Sequence, residues 1–405
     1  MEANDGGPAP ARERAVARAI AGVFAASLAV FLSIGAVLPV LPRYVHGPIG
    51  AGDVAVGVVV GAFAVTAIVA RPWAGRLADE RGRRPVVLVG ALAMALGGAL
   101  LFVEAGVPGL VLARLIVGIG EGTVYTAVAA WVVDLAPADR RAQLIGLLGL
   151  SVWLGLSAGP AIGEGLRALG GYDAVWAFAT AAPLVGAAIA WAQRETRAPR
   201  GAGTGRRAPL IAREALRPGI ALALGNAGYA ALAGFVILHL ADRGVGHGAL
   251  VFSGFAMAVV AGRLALGRLP DRIGPLRAAV GAAVAEAVGL AAIAVAGSWP
   301  VALAGAVVMG AGFAVVYPAL ALLVIDRVPE ERRGSALGSF TAFFDAGFGL
   351  GGPLMGALAA LGGYALTFWA GAACSLAAAA VALRVARPGA VAAEARPEPA
   401  ARASR

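Results

Sequence analysis

At 405 residues the chain is 60% hydrophobic and 14% charged, with a mean hydropathy of +0.82. A fold surrounded by water needs more polar surface than this, so an ordinary soluble domain is excluded and lipid is the implied solvent. The net charge of +10 lies in short gaps between apolar runs, which points to membrane-topology determinants and away from nucleic acid.

Residues 1–18 form a polar N-terminal tail that carries Arg12, Arg14 and Arg18. Ala19 to Leu41 then runs without a charge. A bilayer core about 30 Å thick needs about 20 apolar residues in a helix, and this run is too long for a signal-peptide core, so it reads as an uncleaved first span. Apolar runs bounded by charges or Gly/Pro breaks predict spans near 19–42, 53–73, 86–106, 108–131, 143–166 and 173–192. A second set follows near 217–241, 249–269, 276–297, 300–323, 335–360 and 363–385. Odd-numbered loops carry only Arg43, Arg167 and Arg243, whereas even-numbered loops and both tails hold nearly all the rest of the 33 basic residues. Both termini are therefore expected in the cytoplasm, with the chain in the plasma membrane.

The expected architecture is an all-α membrane protein of 12 transmembrane helices. A six-helix bundle spans 19–192, a cytoplasmic linker 193–216, a second bundle 217–385, and a disordered cytoplasmic tail 386–405. The linker holds Arg194, Arg197, Arg200, Arg206, Arg207 and Arg213, the composition of a tether at an anionic membrane surface, and Pro209 to Arg217 is compatible with a short interfacial helix. Cys374 is the one cysteine, so no internal disulfide can form, and no Cys/His cluster suggests a metal.

Landmarks of the first half return in the second at one fixed step: position 75 to 267, a step of 192, carries glycine in both, and Asp79 returns as Asp271. Gly118, Gly120 and Tyr125 return as Gly310, Gly312 and Tyr317, and Asp134, Pro137 and Arg141 as Asp326, Pro329 and Arg333. Two pseudo-symmetric halves are implied, with a binding site between them and rocking of one against the other.

After the second span the chain reads Gly75-Arg-Leu-Ala-Asp79-Glu-Arg-Gly82-Arg83-Arg84, preceded by Arg71-Pro72. Glycine permits a tight turn and close helix approach, while Asp79 beside Arg83 and Arg84 offers charge-assisted contacts that exist in one arrangement of domains and break in another. This segment resembles the signature loop of the major facilitator superfamily, and the copy around Gly267 and Asp271 is weaker, with Pro275 and Leu276 where the first has Arg83 and Arg84. The resemblance covers essentially the whole membrane region. It implies the two-bundle fold of that family and a conformational latch at Gly75, Asp79, Gly82, Arg83, Arg84 and Asp271.

The fourth span carries Arg114 with Gly118 and Gly120, similar to an arginine and glycine element of the same family. An arginine inside an apolar helix costs roughly 2.5–3.5 kcal/mol on insertion scales, so it should face a cavity or a partner. The resemblance implies proton coupling for Arg114. Glu121, seven residues on and nearly on the same face, is the expected titrating group, because burial opposes its charge, a nearby Arg114 favours it, and exposure changes between states.

The fifth span carries Gly155, Gly159, Pro160 and Gly163, which resembles the antiporter motif of drug/proton exchangers in the superfamily, with Glu164 where those have a second glycine. Residues four apart form one helical stripe for close packing, and Pro160 favours a bend beside it. Asp345, after Phe343-Phe344, is the second candidate for proton coupling or substrate charge. Tyr125, Trp153, Asn226, Tyr229 and Phe344 are candidates to line the cavity. Glu286 reads as structural or interfacial, and His46, His239 and His247 as interfacial residues near outer ends.

No Walker A motif, nucleophile elbow or H-E-x-x-H appears, so no enzyme is expected, no cofactor is needed, and a gradient must supply the energy. The expected activity is export of a small amphiphilic or weakly basic molecule in exchange for protons by a monomer. Sugar or metabolite uptake by symport or facilitated diffusion, and a non-transporting receptor or scaffold, are the alternatives, and fold alone does not choose.

Overall fold

A computed structural model describes residues 9–136, 141–196, 212–329 and 332–385. The N-terminal residues 1–8, most of the linker and the tail from 386 lie outside the described residues. The described chain forms α1 (Ala9–Val37), α2 (Leu41–His46), α3 (Asp53–Arg81), α4 (Arg83–Leu100), α5 (Gly106–Leu135), α6 (Arg141–Trp191) and α7 (Arg213–Asp242). It continues with α8 (Gly248–Leu266), α9 (Leu269–Ile273), α10 (Pro275–Val295), α11 (Trp299–Ile325), α12 (Arg333–Gly362) and α13 (Tyr364–Val385). Eleven candidate membrane helices result, and no strand appears among the described residues.

One of the eleven is α6, whose 51 residues at 1.5 Å each would reach about 75 Å, more than twice a bilayer core. It does not run straight: Gly170 and Gly171 leave helical geometry, Gly171 with φ of 68°, and divide α6 into two arms. The expected break between 166 and 173 falls there. Of the stretch Pro209 to Arg217, residues 209–211 lie outside the described residues, and from Arg213 on it belongs to α7, which runs through Pro218 without interruption. The first predicted span is also divided, since α1 ends at Val37 and α2 resumes at Leu41 around Pro39 and Pro42, which have no N–H to continue the ladder.

Apolar faces are buried by helix-on-helix packing. In the first half α1 runs along α6, and α5 packs on α3 and α4; in the second, α7 packs on α12 and α13, and α11 on α8 and α10. Large apolar side chains such as Trp73, Leu169 and Leu350 point outward at 67%, 89% and 75% exposure, as they do when lipid is the solvent. Positive-φ turns recur at the 192-residue step, Gly82 (101°) with Gly274 (88°) and Gly171 (68°) with Gly363 (76°), positions only glycine adopts at low cost.

The halves meet along two seams, α3 against α12 and α6 against α8. Along the first, glycines let the backbones touch: a Cβ on Gly61 would lie 2.9 Å from the Gly349 carbonyl oxygen, and one on Gly57 would run into that of Gly352. Just beyond, His46 Nε2 stands 2.7 Å from Asp53 Oδ1 and 3.1 Å from the Tyr364 hydroxyl. This seals the seam at the start of α3, the face away from α13's last residue, called the far face below. The opposite, terminal face carries the α3–α4 turn.

Candidate functional site

Three helices bring one guanidinium and two carboxylates together at the seam. Arg71 of α3 donates through Nε to Asp345 Oδ2 of α12 at 2.7 Å and through Nη2 to Oδ1 at 3.2 Å. The same Nη2 lies 3.3 Å from both carboxylate oxygens of Glu121 on α5. Side-chain exposures are 17% for Arg71, 9% for Glu121 and 5% for Asp345, so water screens the cluster weakly. The guanidinium also stacks over Tyr125, 5.0 Å from the ring centroid. Two of the charges come from the first half and one from the second, so the ion cluster ties the halves together. Full ionisation leaves one negative charge uncompensated, and one proton removes it.

Glu121 and Asp345, separate candidates in the sequence, thus meet in one cluster. Arg114 does not join it: its Nε donates to the Val59 carbonyl at 3.3 Å, its Nη2 to that of Val60 at 3.4 Å, and it stacks on Phe63 at 4.8 Å. Its charge is met by backbone dipoles of α3. Arg71, the hub, was not singled out by sequence reasoning beyond its place before the loop motif. The available signal was a charge inside the apolar run 53–73 that recurs 192 positions on as Arg263 in the run 249–269.

Beside the cluster, aromatic side chains fill the space between halves. Trp153 of α6 lies 5.8 Å from Tyr229, 6.0 Å from Phe255 and 5.3 Å from Phe313, ring centroid to centroid. Tyr229 reaches Phe348 at 5.0 Å, and Phe344 lies 6.1 Å from Phe313. Asn226 donates from Nδ2 to the Phe344 carbonyl, while its Oδ1 has no hydrogen-bond partner among the described residues. Tyr125, Trp153, Tyr229 and Phe344 therefore stand in one central region.

The latch segment is mostly helical. Gly75 to Arg81 continue α3, and Gly82 alone makes the turn into α4. A Cβ on Gly75 would meet only Thr126 Cγ2 at 3.8 Å, ordinary contact, so the close approach expected there is absent. Asp79, 67% exposed, pairs with Arg83, whose Nε donates to Asp134 at 2.8 Å; both partners belong to the first half. Asp271 is exposed and has no partner among the described residues. Glu195 caps α4, accepting the Arg83 N–H at 2.7 Å and the Arg84 N–H at 3.2 Å. A carboxylate at a helix N-terminus satisfies orphan donors and interacts favourably with the positive end of the helix dipole, so Glu195→Ala is expected to destabilise the purified protein by about 1 kcal/mol in a denaturant titration. An unchanged midpoint would remove Glu195 from this role.

In the antiporter-like stretch Gly159 faces Gly35, and Gly155 and Gly163 face Phe31 and Ala36, all on α1. A Cβ on Gly155 would lie 2.7 Å from the Phe31 backbone, so this stripe packs within the first half. Pro160 lies inside the first arm of α6. Glu164 is ion-paired with Arg43 and, at 3.0 Å, with Arg167, which accounts for a carboxylate where the motif has glycine. Glu286 is fully buried, accepting from Ser375 at 3.4 Å, so it is not interfacial. His239 is also buried, against the Ile293 carbonyl, and the interfacial reading fails there because α7 packs against α10 and α13 on that side.

The model of the Major Facilitator Superfamily matches residues 23–275 and 220–404. An uncharacterized MFS-type transporter of Salmonella typhimurium is 32% identical over 370 residues, covering 89% of this chain and 94% of that protein. One from Pseudomonas aeruginosa is 31% identical over 348 residues, covering 84% and 86%. Among solved structures, the nucleoside transporter NupG superposes with a TM-score of 0.77 at 14% identity over 91% of this chain and 100% of that one. The human organic anion transporter MFSD10 (TETRAN) does so with 0.68 at 20% identity over 91% and 99%, which at these identities shows a shared fold. The chain belongs to the major facilitator superfamily and is a multi-pass membrane transporter of that type.

Proposed function

We propose that the protein exports a small amphiphilic molecule by proton antiport, with the Arg71–Glu121–Asp345 cluster as its coupling element. The carrying observation is that two buried carboxylates from different halves share one guanidinium. In this reading each arm of α6 is one span, giving twelve spans in two pseudo-symmetric bundles, with both termini cytoplasmic and the far face outside the cell. The sealed far face and the exposed Asp79 then correspond to an arrangement in which the cytoplasmic latch is released. Moving apart, the halves would separate Asp345 from Arg71 and Glu121 and leave a carboxylate that takes a proton from outside. Return of the halves re-forms the ion pair and releases that proton inward. Such a cycle needs proton and substrate affinities that differ between states, because equal affinities shift nothing.

In everted vesicles under an imposed pH difference, Glu121→Gln and Asp345→Asn are each expected to lose gradient-driven uptake while keeping substrate exchange at zero gradient. Full gradient-driven uptake by Glu121→Gln would remove Glu121 from the coupling. Gradient-independent flux in the unaltered protein would favour facilitated diffusion instead.

A further inference from the structure

We propose that Arg263 is the substrate-binding cation and that the exported molecule is an aromatic organic acid whose carboxylate sits on it. The proposal rests on the transporter reading above and names its substrate class. The observation behind it is a contrast between two arginines 192 positions apart. The step that relates Arg71 to Arg263 also relates Tyr125 to Tyr317, Glu121 to Phe313, and Asp345 to Trp153. The two neighbourhoods match in place and differ in chemistry: Arg71 is met by a carboxylate from its own half and one from the other. Arg263 lies 5.9 Å from the Trp153 ring of the other half, and Phe313 of its own half stands 5.3 Å from that ring. Where Arg71 has two acids, Arg263 has the Trp153 ring, with Phe313 packed beside that ring.

Arg263 therefore carries a charge with no carboxylate within ion-pair distance among the described residues, and its buried Nε has no hydrogen-bond partner there. The side chain crosses the second seam from α8 to α6, where Gly149 makes room for it: a Cβ there would come within 2.8 Å of Nη1. Arg263 is half-buried between the bundles with its Nε unpaired, and planar bidentate recognition of a carboxylate is what its free donors suit. The surrounding rings, Trp153, Phe313, Phe255 and Tyr229, offer flat apolar contact to the body of such a molecule. The two acids of the central cluster, Glu121 and Asp345, are by contrast both engaged by Arg71.

The test is direct binding to purified protein in detergent, by titration calorimetry, of one-, two- and three-ring aromatic carboxylates beside the primary amides and amines of the same rings. Benzoate, 1-naphthoate and 9-anthroate are the acids. At least one acid is expected to bind ten-fold or more tightly than its amide and amine. Arg263→Gln is expected to erase that difference and Arg263→Lys to keep part of it. Phe313→Glu supplies Arg263 with the kind of acid that Arg71 already has. It is expected to pair with the arginine and to abolish the preference for acids even if Arg263→Gln does not fold. The proposal is overturned if no acid binds, if amines or amides bind as tightly as acids, or if folded Arg263→Gln or Phe313→Glu retains the full preference. Binding in detergent requires no gradient, so acid binding without proton-driven flux counts against antiport and leaves Arg263 standing. Proton-driven flux without a preference for acids does the reverse.

Discussion

Arg71→Met is expected to destabilise the protein by about 3–5 kcal/mol, the scale for removing one partner of a buried ion pair and leaving the rest uncompensated. The loss comes less from the missing hydrogen bonds than from the two carboxylates left behind, which are 9% and 5% exposed. Neutralising them should therefore recover most of it: the triple variant with Glu121→Gln and Asp345→Asn is expected to unfold close to the unaltered protein in a denaturant titration. Arg71→Lys is expected to lie nearer to Arg71→Met, because an ammonium cannot reproduce the two-pronged contact of Nε and Nη2 with Asp345 while still reaching Glu121. If Arg71→Met cost less than about 1 kcal/mol, or the triple variant were no better than the single one, the three charges would not form an energetic unit.

Much of this arrangement is legible in the chain, and the limits have physical reasons. Long uncharged runs announce membrane helices because every backbone donor must be satisfied within its own segment. The repeated step of 192 pairs the glycines at 82 and 274, and both mark turns with positive φ. Glu121 and Asp345 are visible as charges in apolar surroundings, which require partners. Which partner is not visible. Spacing along one helix places Arg114 and Glu121 on nearly the same face, yet Arg114 reaches carbonyls of α3, and the cation that serves Glu121 comes from Arg71, which lies 274 positions from Asp345. Helix-to-helix rotation decides this, and single-helix periodicity carries no information about it. His239 shows the same limit, since proximity to a helix end in sequence does not say whether that end is covered by a neighbour.

Gly352→Val is expected to abolish transport by holding the far face open. At this seam the obstacle is backbone on both sides: a Cβ on Gly352 would run into the Gly57 carbonyl oxygen and lie 3.1 Å from Gly61 N and Cα. No flexible side chain can move aside, so α3 and α12 must separate, and a packed interface responds by shifting between discrete arrangements. A substitution that the sealed arrangement rejects and the open one tolerates moves the population to the open one by its differential cost. The check is the rate at which a membrane-impermeant maleimide reaches Ala64→Cys from the far face, after Cys374→Ala. Ala64 is buried on α3, and a Cβ on Gly349 would lie 3.2 Å from its own Cβ, so it labels only when the seam parts. An increase of ten-fold or more is expected with Gly352→Val. Gly281→Val serves as the control, because nothing lies within 4 Å of a Cβ there, and it is expected to change neither labelling nor flux. Unchanged labelling together with retained transport in Gly352→Val would mean that the α3–α12 seam stays packed throughout the cycle. The Arg71–Asp345 bond would then be a static brace, because halves that never part at this seam cannot expose Asp345 to a proton.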